Sequence, residues 1–228
     1  MGFDGFTQEF FAFYDELGTN NERAWFQENK PFYERAVQTP MLRFIEAMGP
    51  RLAEISKHLL ADPRRNGGSM FRIYRDTRFS KDKTPYKTHC ACQFRHVLGK
   101  DVHAPGLYMH FSQREFVLGG GIWRPSSAEL EKIRTYIDEN PEQWIRARDN
   151  AEFRAMYELG GESLKRPPKG YAADHPLLVD LKRKDFVAMR AMMPPDLLRE
   201  DLLDEVARSY MACKPFIKFL CDALGLPF

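Results

Sequence analysis

Leu107-Tyr108-Met109-His110-Phe111 alternates in side-chain character. A short turn later Glu115-Phe116-Val117-Leu118-Gly119-Gly120-Gly121-Ile122-Trp123 continues as a strand-like run that ends in a triple glycine. Period-two alternation sends successive side chains to opposite faces of a pleated strand, so these stretches predict neighbouring strands. Residues 88–94 and 186–192 read as further strands. Residues 69–75 read as another, with Phe71 and Ile73 on one face and Arg72 and Tyr74 on the other.

Working outward, the first 60 residues read as helices. Thr7 is placed to cap the first, with Phe6 and Phe11 as an apolar staple and Phe10, Tyr14 and Leu17 at helical spacing. Asn21 predicts the cap of a second helix carrying Trp25, Phe26 and Phe32. Pro40 predicts the start of a third, with Leu42, Ile45, Met48, Leu52 and Ile55 as its apolar stripe. Beyond the strands, Ser126-Ser127-Ala128-Glu129 is a capping box and Asn140-Pro141 opens another helix. Residues 196–224 read as helix with Pro215 inside. Strands bracketed by helical runs, without regular βαβ alternation, predict the α+β class. The expectation is a single domain spanning residues 1–228, with a mainly antiparallel central sheet flanked by N-terminal and C-terminal helices.

A chain of 228 residues with 43% hydrophobic and 13% aromatic content can bury a sizeable core. Nothing approaches the run of about 18 apolar residues that a membrane helix needs. The start, Met1-Gly2-Phe3-Asp4-Gly5, lacks the basic and apolar regions of a secretion signal. Cys90, Cys92, Cys213 and Cys221 lack disulfide-scaffold spacing and read as reduced thiols, which predicts a cytoplasmic location.

Charge is distributed unevenly. Between Arg64 and Arg95 nine lysines and arginines face two aspartates, a net +7 in a chain whose overall charge is +2. A strip of that kind attracts phosphates, carboxylates or a nucleic-acid backbone. If Phe71 and Ile73 face the core, Arg72 and Tyr74 share the opposite sheet face with Tyr108 and His110, and Arg75, Arg78, Lys81, Lys83 and Lys87 rim it. Guanidinium forks there would supply paired donors to an anion.

Other motifs are weaker. The glycine run lacks either nucleotide-binding pattern, and glycines inside strands more often mark close backbone approach. Ser80-Lys81-Asp82-Lys83 matches S-x-x-K without its partner motifs. His89, Cys90, Cys92 and His96 lie close in sequence, but C-x-C is tighter than usual zinc spacing, so neither a metal nor any cofactor is expected. The loop at residues 165–175 could form a second wall over the basic strip. His89, His110 and His175 are the convincing proton shuttles by residue type.

Asn21-Glu22-Arg23-Ala24-Trp25-Phe26, the run from Phe71 to Lys87, Gly119-Gly120-Gly121-Ile122-Trp123 and Leu164-Lys165-Arg166-Pro167-Pro168-Lys169-Gly170-Tyr171 together resemble the DUF2461 family over almost the whole chain. The resemblance implies a cytosolic α+β domain and carries no activity with it. Cys90 and Cys92 fall outside the family's pattern, which weighs further against a metal.

The residues themselves point to a binding domain or enzyme for a small anionic, phosphorylated ligand. Arg72, Arg75, Arg78, Lys83 and Lys87 would neutralise the anion, Tyr74, Tyr108 and Trp123 would stack or hydrogen-bond, and His110 would transfer a proton. The alternatives are a nucleic-acid module using the same strip, or an interaction protein docking an acidic surface. No membrane partner is expected, and the oligomeric state is open.

Overall fold

The structure, a computed structural model, describes residues 3–99 and 104–228. Met1 and Gly2 of the amino-terminal reading lie outside the described residues. The chain begins with α1 (Gln8–Thr19) and α2 (Arg23–Tyr33), which runs through a π-helical turn (Glu34–Gln38) into α3 (Thr39–Ile55). The strands are β1 (Cys90–Arg95), β2 (Gly106–Phe111) and β3 (Phe116–Ile122). After them come α4 (Ser127–Glu139), α5 (Pro141–Arg148), α6 (Ala151–Met156) and β4 (Glu158–Gly160). The short α7 (Leu178–Leu181), β5 (Phe186–Met192), a 3₁₀ turn (Pro194–Leu198) and α8 (Leu202–Leu224) complete the chain. Five strands pair antiparallel in the order β1-β2-β3-β5-β4, so the fold is α+β.

Alternation decides what each sheet face touches. Cys90, Cys92 and Phe94, Leu107, Met109 and Phe111, and Phe116, Leu118 and Ile122 are all buried on the helix side. Phe6 and Phe10 bring the amino-terminal helices onto Phe111, with ring centroids at 5.2 and 4.7 Å. From the other end, Tyr210 of α8 donates its hydroxyl to the Tyr108 carbonyl at 3.0 Å. Gly120 faces the same helix: a Cβ there would lie 2.5 Å from Cys213 Sγ, so the glycine lets α8 settle on β3. Arg190 of β5 meets the buried Glu205 carboxylate of α8 at 2.6 Å, and Arg208 closes on it from the next turn.

Three local expectations are corrected. Residues 69–75 make only isolated bridges, Met70 to Cys92 and Tyr74 to Tyr86, because the segment leaves the β1 edge almost as soon as it meets it. Ile73 is buried as expected, but Phe71 is only half-buried. Asn21 does not cap α2; Glu22 holds that position. The Asn21 amide instead pairs with both main-chain groups of Tyr86, at 3.1 and 3.0 Å, in the manner of a missing strand. Pro40 does stand in the first turn of α3, which follows directly on the π-helical turn, but Met41 and Phe44 join the buried stripe in place of Leu42. The capping box is present: Ser126 Oγ accepts from the Glu129 amide at 3.3 Å, and the Glu129 carboxylate accepts from the Ser126 amide at 2.6 Å.

Candidate functional site

With the helices gathered on one face, the opposite face of the sheet is the floor of a cavity of about 490 Å³. The floor is made of small residues. Ala91 lies opposite His110, Gly119 opposite Tyr108, and Gly121 opposite Gly106. Gly121 has a φ of 129°, and a Cβ on it would fall 2.0 Å from the Phe186 carbonyl oxygen, so no other residue fits there. Phe71, Trp123 and Met189 wall the cavity. The rim turn that carries Trp123 is fixed by the buried Asp185, which accepts the Arg124 amide at 2.8 Å and the Glu162 amide at 3.0 Å.

Polar groups converge on one side. Tyr108 and His110 rise from β2 with ring centroids 5.5 Å apart, and His89 approaches His110 at 5.8 Å. Both ring nitrogens of His110 are buried and make no hydrogen bond among the described residues. Glu115 Oε1 lies 3.1 Å from His110 Nε2, a close approach without the alignment of a hydrogen bond. Burial, then the neighbouring His110 and Lys87, lowers the His89 pKa below its usual value. Burial, then Arg72, also lowers that of Lys87, whose Nζ donates to the Arg72 carbonyl at 3.0 Å and sits 5.5 Å over the Phe71 ring. Burial pushes the Tyr108 phenol up to about 12, so at neutral pH it remains a donor.

The residues expected to form one site are divided. Lys87, Tyr108, His110 and Trp123 line the sheet-face cavity. Tyr74, Arg75 and Lys83 line a second cavity of about 670 Å³. Arg72 and Arg78 line neither. It is Phe71, not Arg72, that meets Tyr108, at 6.2 Å, because the expected strand is not formed. Much of the basic strip is paired internally: Arg64 with Asp62, Arg75 with Asp82, and Arg78 with Asp76. The loop at residues 165–175 lines neither cavity; its His175 contacts Asp138 of α4 at 2.9 Å. Cys90 and Cys92 point into the core, where burial raises the Cys90 thiol to about 12 and holds Cys92 well above its ordinary value. His96 is buried against the Pro227 carbonyl at 2.7 Å.

The family described as "Conserved hypothetical protein (DUF2461)" matches residues 9–219 of the 228. The chain belongs to the DUF2461 family. No curated protein and no solved structure matched it. Among the described residues, no helix is long and apolar enough to cross a membrane.

Several lining residues of this DUF2461 chain escaped the sequence reading. Gln93 and Arg95 stand on the cavity side of β1, in the phase opposite to Cys90, Cys92 and Phe94. The same alternation that placed the cysteines in the core was therefore a signal for them. Arg23 and Gln27 line the second cavity from a helix distant in sequence, and no local pattern could have paired them with Tyr74.

Proposed function

We propose that the sheet-face cavity binds a small ligand with an anionic group on an apolar or planar body. The observation that carries this reading is His110, whose two buried nitrogens make no hydrogen bond among the described residues while Lys87, His89 and Tyr108 line the same cavity. Buried polar groups are normally satisfied, so an orphaned imidazole at a cavity wall marks a place for a partner from outside. The Lys87 ammonium supplies positive charge to the anion and Tyr108 a neutral donor. The glycine floor and the walls of Phe71, Trp123 and Met189 accept a flat apolar body. His110, with Glu115 beside it, is the group placed to move a proton.

The internal pairing of Arg64, Arg75 and Arg78 with carboxylates favours this reading over a nucleic-acid track. Thermal-shift screening against aromatic and aliphatic carboxylates and phosphate monoesters tests it. At least one compound is expected to raise the melting temperature, and Lys87→Ala and His110→Ala are each expected to abolish its effect. Tight, steeply salt-dependent binding of a single-stranded oligonucleotide that Arg78→Ala weakens would promote the nucleic-acid reading instead.

A further inference from the structure

The second cavity, about 670 Å³, lies between the start of α2 and the loop leading from Tyr74 to Tyr86. Its frame is well tied. The Tyr74–Tyr86 bridge closes the loop, the Arg75 amide donates to the Pro85 carbonyl at 2.9 Å, and the Asn21 amide clamps the Tyr86 main chain from the other side. Tyr86 is buried and stacks on Phe26 at 4.2 Å. Tyr74, tilted against Tyr86 at 5.4 Å, is 48% exposed, which leaves an aromatic surface open to the cavity.

Cations from separate segments line this space, Arg23 from α2 and Arg75 and Lys83 from the loop, against the single carboxylate of Glu22. Their donors are only partly spent. Arg75 is anchored through Nη1 alone, to Asp82 and Thr84, so Nε and Nη2 make no hydrogen bond among the described residues. Asp82 is itself tied down by the Thr84 amide and hydroxyl, each at 2.9 Å, which fixes the anchored edge of the guanidinium. Lys83 Nζ gives one bond, to the Thr77 carbonyl at 2.9 Å, and keeps its other protons. The Arg23 side chain makes no hydrogen bond or ion pair with another described residue.

We infer that this cavity is a second, separate site for a phosphate monoester carried on a planar ring, of the nucleotide type. The pre-set Nε/Nη2 edge of Arg75 matches two oxygens of a phosphate, and Lys83 and Arg23 supply charge for the rest of the dianion. A carboxylate would engage the fork and leave the other two cations unused. The open ring of Tyr74 offers a stacking surface, and the Gln27 amide offers both a donor and an acceptor to a ring edge. A volume of about 670 Å³ accommodates a ligand of that size.

The test is isothermal titration of the intact chain with a nucleoside monophosphate, the matching nucleoside and inorganic phosphate, together with amide and arginine Nε chemical-shift mapping. The monophosphate is expected to bind at least about tenfold more tightly than either fragment, and to shift Gln27, Tyr74 and the Arg75 Nε signal. Arg75→Lys keeps the charge but loses the fork, and should weaken binding about tenfold or more. Tyr74→Leu should weaken it roughly five- to tenfold, while His110→Gln, in the sheet-face cavity, leaves it unchanged. Shift mapping on the unaltered chain stands even if a variant fails to fold. Absence of binding at millimolar monophosphate, shifts confined to the sheet-face cavity, or loss of binding in His110→Gln but not in Arg75→Lys would overturn the inference. So would tighter, steeply salt-dependent binding of a 5′-phosphorylated oligonucleotide, which would assign the cavity to nucleic acid.

Discussion

His89 is the residue whose environment most directly sets a pH dependence. Burial, His110 and Lys87 all disfavour its charged form, and only the nearby Glu115 works in the other direction. A histidine whose folded pKa is depressed below its unfolded value of about 6.5 binds its proton more readily in the unfolded chain. Its contribution to stability is therefore full above about pH 6.5 and is lost as the pH falls toward the folded pKa. The carboxylates of Asp76 and Asp82, each held to about 2, stay ionised through this window and do not obscure it. Urea midpoints measured from about pH 7 to about pH 5 should fall for the native chain and fall less for His89→Asn. Parallel curves for the two proteins would show that His89 is not the group responsible.

At the scale of elements, α8 is seated directly on β3. That seating depends on Gly120, since any Cβ would crowd Cys213 Sγ at 2.5 Å and the Ile217 and Leu107 methyls at 3.2 Å. Gly120→Ala is expected to cost about 1–3 kcal/mol by overpacking. Cys213→Ala removes the sulfur that the new methyl would meet, so the double variant should lose less than the sum of the two single losses. Denaturant titrations of the four proteins measure that difference. Strict additivity would mean that the helix shifts as a body instead of being held at this point.

For the whole molecule, the amino-terminal helices and the carboxy-terminal helix share one buried cluster that includes Phe6, Phe44, Phe111, Leu118 and Phe216. Arg51 of α3 and Asp204 of α8 also meet across the layer at 2.6 Å. The five strands form one sheet and both sets of helices enter that one cluster, so the chain is expected to unfold in one calorimetric transition whose van't Hoff and calorimetric enthalpies agree. Two resolved transitions would divide it.

The sequence by itself determined the α+β class, four of the five strands, the capped start of α4 and the long final helix. Each depends on periodicity or capping chemistry within a short window. It could not show that residues 69–75 fail to become a strand. The alternation is present there, but the segment makes only brief pairings with the edge of β1 before it turns away. Nor could it divide the basic strip between two cavities. Phe71, Lys87 and His89 line the sheet-face cavity, whereas Tyr74, Arg75 and Lys83 line the other with residues of α2. Which residues carry the charge is a property of the chain; which of those charges remain open to a ligand was decided only in three dimensions, where Asp62, Asp76 and Asp82 each take an arginine of the same strip.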